Sequence, residues 1–208
     1  MQTDKRFLFT LAIFVMAGAA QARVLIDMQF TDSARQTGAA VVGSTEDQWN
    51  TSDKDNGTLA LKNVAGADTG VSLTWSGGGL FGYSTANAFH GTDYEPLMTH
   101  YLYSANSQIT TLSFAGLNKA STYNLYLYTD SDTSGRQAEF TVTGSTTSGP
   151  TTAVSDSRVD TFVPKTNYVE FLGLAPDKDG NLSVSCVGVE GDKNEADLNG
   201  FQIQEVTK

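Results

Sequence analysis

The sequence predicts an all-β chain folded as a two-sheet antiparallel β-sandwich with one short helix. Three observations predict it. The chain is rich in Thr, Ser, Gly, Val and Tyr, and its apolar residues fall in short runs set apart by Gly, Asp, Asn or Ser. That spacing is the pattern of short strands joined by turns. The runs are too many for one open sheet of this size, so they must form two packed layers.

Strands are predicted at 24–30, 39–44, 58–62, 71–75, 108–114, 123–129, 138–143, 158–163, 168–172, 182–189 and 200–206. In YNLYLYTD the alternation puts Tyr123, Leu125 and Leu127 on one face and Asn124, Tyr126 and Tyr128 on the other. The helix is predicted at 95–103, EPLMTHYLY, where Pro96 suits a first helical position and Leu97/Tyr101 and Met98/Leu102 are spaced i, i+4. GSTTSGP at 144–150 reads as a hairpin connection, too short for an interdomain linker. No fixed-period repeat is visible, which argues against a solenoid or propeller.

The chain opens MQTDKRFLFTLAIFVMAGAAQA, with Lys5 and Arg6 before an apolar run and small residues at Ala20 and Ala22. This is the pattern of a signal peptide cleaved after Ala22, with an apolar run shorter than the ~20 residues of a spanning helix. The expected organisation is a signal peptide at 1–22 and a single domain at 23–208, secreted or periplasmic. A net charge of −10 repels phosphate backbones and anionic lipid, so neither nucleic acid nor membrane insertion is expected. Cys186 is the sole cysteine, which excludes an internal disulfide; its place in LSVSCVGV reads as a small buried apolar side chain.

DKDGN, 177–181, resembles a calcium loop, but no register puts glycine at position 6 and a carboxylate at position 12. Asp179-Gly180 instead reads as the turn of a hairpin joining YVEFLGL to LSVSCVGV. In the following loop Asp192, Glu195 and Asp197 could meet an ion brought by tertiary contacts. His90 and His100 match no compact zinc spacing, no Gly-x-Ser-x-Gly elbow occurs, and the glycines at 77–79 lack the Lys-Ser/Thr of a phosphate loop. No catalytic residues are assigned.

Aromatic residues are the stronger clue. Trp49, Trp75, Phe81, Tyr83, Phe89, Tyr94, Tyr101 and Tyr103 crowd the first half, several beside Gly, Asn or Asp. Sugar rings pack their C–H faces on aromatic planes and satisfy their hydroxyls on amides, carboxylates and guanidinium groups. The tyrosines of 123–128 serve either such a platform or the second face of the sandwich.

VLIDMQF, DQWN, TLALKN running to GVSLTW, PLMTHYLY, FAGLNKASTYNLYLY, AEFTVTG, YVEFLGL and ADLNGFQI occur in that order. Together they resemble the galactose-binding-like jelly rolls, the fold of many carbohydrate-binding modules and malectin-like domains. The resemblance implies two antiparallel sheets with the first and last strands adjacent, and sugar binding at loops on one end or on a concave face. Many such domains hold a structural calcium; here the acidic pattern of the first strand is reduced to Asp27. Asn199 matches the polar residue before the last strand, and Trp49-Asn50 a recurring pair.

The resulting expectation is a non-catalytic domain that binds a polysaccharide or cell-surface glycan through Trp49, Asn50, Trp75, Tyr83, Tyr128, Arg136 and Asn199, with no cofactor. An alternative is an extracellular matrix, sheath or surface-layer protein that self-associates through strand edges and Thr/Ser-rich faces. A third is a polysaccharide lyase or hydrolase, for which Tyr94, His100 and Arg136 are the set to inspect.

Overall fold

A computed structural model describes residues 24–82, 85–190 and 194–206. It is a β-sandwich. Along the chain run β1 (Leu25–Phe30), β2 (Trp49–Ser52), β3 (Gly57–Lys62), β4 (Asp68–Ser76), β5 (Gly79–Phe81), the helix α1 (Glu95–Met98), β6 (Tyr101–Ser104) and β7 (Ile109–Ala115). There follow β8 (Thr122–Tyr128), β9 (Gln137–Thr143), β10 (Thr147–Val154), β11 (Tyr168–Leu174), β12 (Leu182–Glu190), β13 (Ala196–Leu198) and β14 (Gly200–Val206). One sheet has the order β11-β8-β14-β1-β2 and the other β10-β9-β12-β7-β4-β3. A small third sheet, β13-β6-β5, which the sequence reading did not anticipate, lies beside them.

The first and last strands pair antiparallel in the middle of the five-stranded sheet, Leu25 opposite Gln204 and Gln29 opposite Gly200. At its edge β2 runs parallel to β1. Between the two large sheets lies the main core, where Phe114 meets Phe201 edge-on at 5.0 Å and Phe30 meets Trp75 at 5.7 Å. Cys186 belongs to this core, and burial pushes its thiol pKa up.

The five-stranded sheet is covered on its other face too. Tyr123, Leu125 and Leu127 of β8 point into the main core, whereas Tyr126 and Tyr128 join a second cluster with Trp49, Phe89, Leu97, Met98 and Tyr168. The segments 39–44 and 158–163, expected as strands, are instead loops that lay Ala40, Val41, Val42 and Phe162 over this second cluster. Their backbone is satisfied by side chains: Val41 N–H donates to the Tyr128 hydroxyl and Val42 N–H to Gln202 Oε1, while Gln202 Nε2 donates to Val42 O. Their apolar residues mimic strands because they cap a sheet.

Other boundaries also differ. The helix stops at Met98, because Tyr101–Ser104 is drawn into the strand pairings of β5 and β13. Of the 144–150 segment, 144–146 is the loop of the hairpin joining β9 to β10, as expected, whereas 147–150 belongs to β10 itself, with a register shift between Ser148 and Thr151 that accommodates Pro150 at the sheet edge. DKDGN is a tight turn, with Asp177 Oδ1 accepting from the N–H groups of Asp179 and Asn181, but it joins no hairpin. It carries the chain from β11 in one sheet to β12 in the other.

The outward face of the six-stranded sheet is built from hydroxyls. Thr58, Thr74, Ser113, Ser183, Thr143 and Thr147 stand opposite one another across all six strands. Ser76, Thr111, Ser185 and Thr141 repeat the arrangement one pleat along. Within these rows Thr58 bonds Thr74 at 2.9 Å and Ser76 bonds Thr111 at 3.0 Å.

On one side of the sandwich the edge strands β2 and β3 face each other, and Asn50 links them. Its Nδ2 donates to Asp27 O (2.9 Å) and Lys62 O (2.8 Å), and its Oδ1 accepts from Lys62 N–H (2.9 Å). Only the bond to Asp27 O is partly buried and the two to Lys62 are exposed, so Asn50→Ala is expected to destabilise the fold by about 0.5–1.5 kcal/mol. Urea unfolding checks it: the midpoint should fall without a change in slope, and an unchanged midpoint would show that the clamp carries no stability.

Candidate functional site

The sequence-predicted residues divide among four places. Trp75 lies in the main core at 3% exposure, its Nε1 donating to Lys54 O. Trp49 (2% exposed) and Tyr128 lie in the second cluster; Trp49 Nε1 donates to Gly38 O, and the Tyr128 hydroxyl donates to Gln202 Oε1. None of these three rings offers a face to solvent, so the structure does not support ligand stacking on them. Asn50 is the clamp between sheet edges. Tyr83 and the signal peptide expected at 1–22 lie outside the described residues.

Arg136 and Asn199 come together at one end of the sandwich, in the densest group of ionisable side chains. Arg136, in the segment leading into β9, reaches across to β13. Its Nη2 lies 2.8 Å from Glu195 Oε2, and its Nη1 lies 3.3 Å from Asp197 Oδ2 and 3.4 Å from Asp132 Oδ1. The ion that meets Glu195 and Asp197 is thus this guanidinium; Asp192 lies outside the described residues. Among the described residues no group of three or more His, Cys, Asp or Glu is arranged to hold a metal.

The small sheet supplies aromatic rings to the same place. Tyr101 and Tyr103 share one face of β6 by strand alternation, and Phe81 on β5 pairs with Tyr101. The Phe81 ring is stacked on Tyr101, centroids 5.1 Å apart and 10° from parallel, and sits 6.4 Å from Tyr103. Phe81 is 42% exposed whereas Tyr101 is buried. Tyr103 donates to Glu195 Oε1 at 2.6 Å, and that bond pushes its phenol pKa up to about 12. Burial, with Asp197 and Asp132 nearby, pushes the Tyr101 phenol up as well.

Behind the rings is a buried amide layer. Asn199 Oδ1 accepts from Asp130 N–H at 2.7 Å, and its Nδ2 donates to Met98 O and His100 O at 2.9 Å. Asn199 is thus a positioning residue that ties the loop after β8 to the segment between α1 and β6. Asn87 adds Nδ2 contacts to Met98 O (3.1 Å), Ser131 O (3.1 Å) and Asp130 Oδ2 (3.3 Å). Burial raises the Asp130 carboxyl pKa to about 8, and raises Asp197 to about 7 against the pull of Arg136.

The three residues named for an enzyme have separate partners. Tyr94 packs on Phe162 and Phe89, and His100 is buried with Nδ1 at Thr99 and Nε2 3.4 Å from Asp32, while Arg136 is held by the β13 carboxylates. Sequence reasoning left Phe81, Tyr101 and Tyr103 out of the site because 101–103 reads as helix, which hides the alternation that puts the two tyrosines on one face.

No family model matches the chain, and no curated protein matches it. Among solved structures it is similar to the enzymatically active domain of tailspike protein 4 from bacteriophage CBA120, with 9% identity and a TM-score of 0.28 over 65% of this chain. The chain spans 18% of that protein's length. At that score the likeness carries no argument about function.

The buried carboxyls set a pH dependence. Burial raises both Asp27 and Asp130 to about 8, against an unfolded value of ~3.9. Between about pH 4 and 8 the folded chain therefore holds protons that the unfolded chain has released, and stability falls as pH rises through that window. The ceiling is ~1.4 kcal/mol per pH unit for each group. Thermal melts from pH 5 to 8 should show a falling Tm, with a shallower slope in Asp27→Asn and Asp130→Asn; a Tm that rises over this range would contradict the burial of neutral carboxyls.

Proposed function

We propose that this chain is a secreted, non-catalytic domain of galactose-binding-like jelly-roll type that binds a polysaccharide or cell-surface glycan at the Phe81 end of the sandwich. The observation that carries the reading is the exposed Phe81 ring, held parallel on Tyr101 and near Tyr103, with Tyr101 in turn against Arg136 and Asp132. An aromatic plane fixed from behind offers a sugar its apolar face at little entropic cost. Charged and phenolic groups at its rim can take up the hydroxyls. Arg136 is committed to three carboxylates, so it contributes as a rigid donor rather than a mobile cation.

Affinity electrophoresis through gels containing neutral polysaccharides tests the reading. Retardation by at least one is expected, and Phe81→Ala should weaken it at least about fivefold, the loss of ~1 kcal/mol of stacking. Mobility unchanged by every polysaccharide, or a Phe81→Ala protein retarded like the parent, would sink it.

One observation favours a second reading, self-association as an extracellular structural protein. The two hydroxyl rows of the six-stranded sheet carry no charged side chain, in a chain of net charge −10, and Glu139 stands in the row beside them. Light scattering across protein concentration discriminates: growth in mass with concentration favours assembly, and a constant monomer mass counts against it.

A further inference from the structure

A cleft of about 290 Å³ lies where the free edges of the two large sheets meet, and none of its lining residues belongs to the Phe81 site. One wall is Trp49 to Thr51 of β2 and the other is Leu59 to Lys62 of β3. The turn at 63–66 closes one end, and Arg35 stands at the rim. The turn is firmly built: Asn63 Oδ1 accepts from Ala65 and Ala67 N–H at 3.0 Å, and Gly66 has φ +79°. A Cβ on Gly66 would lie 3.0 Å from Gln48 Oε1, so glycine there leaves room for the Gln48 amide.

The charges are what single this cleft out. The chain has 23 acidic and 13 basic residues, and the other two described arginines, Arg136 and Arg158, are held by carboxylates. Arg35 and Lys62 make no ion pair with a described residue, although Asp68 stands opposite Lys62 in the strand register. Two cations with no ion-pair partner among the described residues therefore open onto one cleft of an acidic protein.

Both cations are also mounted on clamped backbone. The buried side chain of Gln29 grips the peptide on either side of Arg35: its Oε1 accepts from Gln36 N–H at 2.6 Å, and its Nε2 donates to Ala34 O at 3.0 Å. The Asn50 side chain grips Lys62 in the same way, through the N–H and C=O of that residue. A side-chain amide spent on each of these two residues, buried at Gln29 and partly exposed at Asn50, fixes where the charges emerge, and preorganisation of that kind lowers the cost of binding.

From this geometry we infer that the cleft is a binding site for the carboxylate of an acidic sugar. The Arg35 guanidinium takes the carboxylate through paired N–H donors. Lys62 and the Gln48 amide take ring hydroxyls. The choice of a sugar acid over another hydroxylated carboxylate rests on the glycan reading given above; the site itself is separate from Phe81.

The test follows ¹⁵N–¹H cross-peaks of residues 48–51 and 59–66 during titration with galacturonate, galactose, sodium acetate and sodium sulfate. Galacturonate is expected to give saturable shifts confined to these residues, with galactose, acetate and sulfate giving none at equal concentration and ionic strength. Arg35→Gln should weaken galacturonate at least tenfold and Lys62→Met at least threefold, with the rest of the spectrum unchanged, and Phe81→Ala should bind it as the parent does. Absence of shifts, equal shifts with galactose, acetate or sulfate, or undiminished affinity in Arg35→Gln would each overturn the inference. Failure of the Phe81 site shows separately, as a parent protein that no neutral polysaccharide retards, with the galacturonate shifts intact.

Discussion

Everything in this fold is arranged around the pairing of its first strand with its last. β1 and β14 lie side by side at the centre of the five-stranded sheet, so residues at opposite ends of the domain are hydrogen-bonded neighbours. All six residues of β1 are buried. The strand is covered on one side by the main core and on the other by loops, which is why it can carry Asp27 and Gln29 inward without exposing them. Closing a loop that spans nearly the whole domain is entropically costly and must precede the contacts that offset it. The central sheet therefore rests on contacts of very large sequence separation, and the Phe114–Phe201 pair between the sheets depends on β14 being in place.

The second consequence is a sheet with two dry faces. An antiparallel sheet in a sandwich commonly leaves one face to water, but here Tyr126, Tyr128 and Tyr168 meet Phe162 and Trp49 beneath irregular chain. Loops over a buried surface need partners for their peptide groups. Tyr128 and Gln202 supply them at Val41 and Val42, Asn167 at Thr161 and Val163, and Gln29 at Ala34 and Gln36. Polar residues that look misplaced inside strands are thus the fastenings of the covering loops.

The strands with simple alternation were legible in the sequence, and 57–62, 109–115, 137–143 and 182–190 lie close to where their patterns put them. Legibility failed where a second buried face imposed its own apolar residues, as at 39–44 and 158–163, because covering a sheet and belonging to one demand similar composition. It failed again at 101–103, where Leu97/Tyr101 and Met98/Leu102 fit a helical period by coincidence. Of the candidate sites, Asn50 pointed to the cleft and Arg136 to the loop end. The partners that define those places, Gln29 for Arg35 and Glu195 and Asp197 for Arg136, are set by topology across long stretches of chain and leave no local spacing to read.

The Asn50 clamp has one more effect. A β-sandwich ordinarily leaves the outer strand of each sheet with unpaired peptide groups, a template on which another chain can add a strand. Here β2 and β3, the last strands of their respective sheets, are turned toward each other, and a side-chain amide fills the peptide groups of Lys62 that a stranger would seek. The two edges guard one another, so along this flank the molecule resists the cross-chain pairing that begins aggregation.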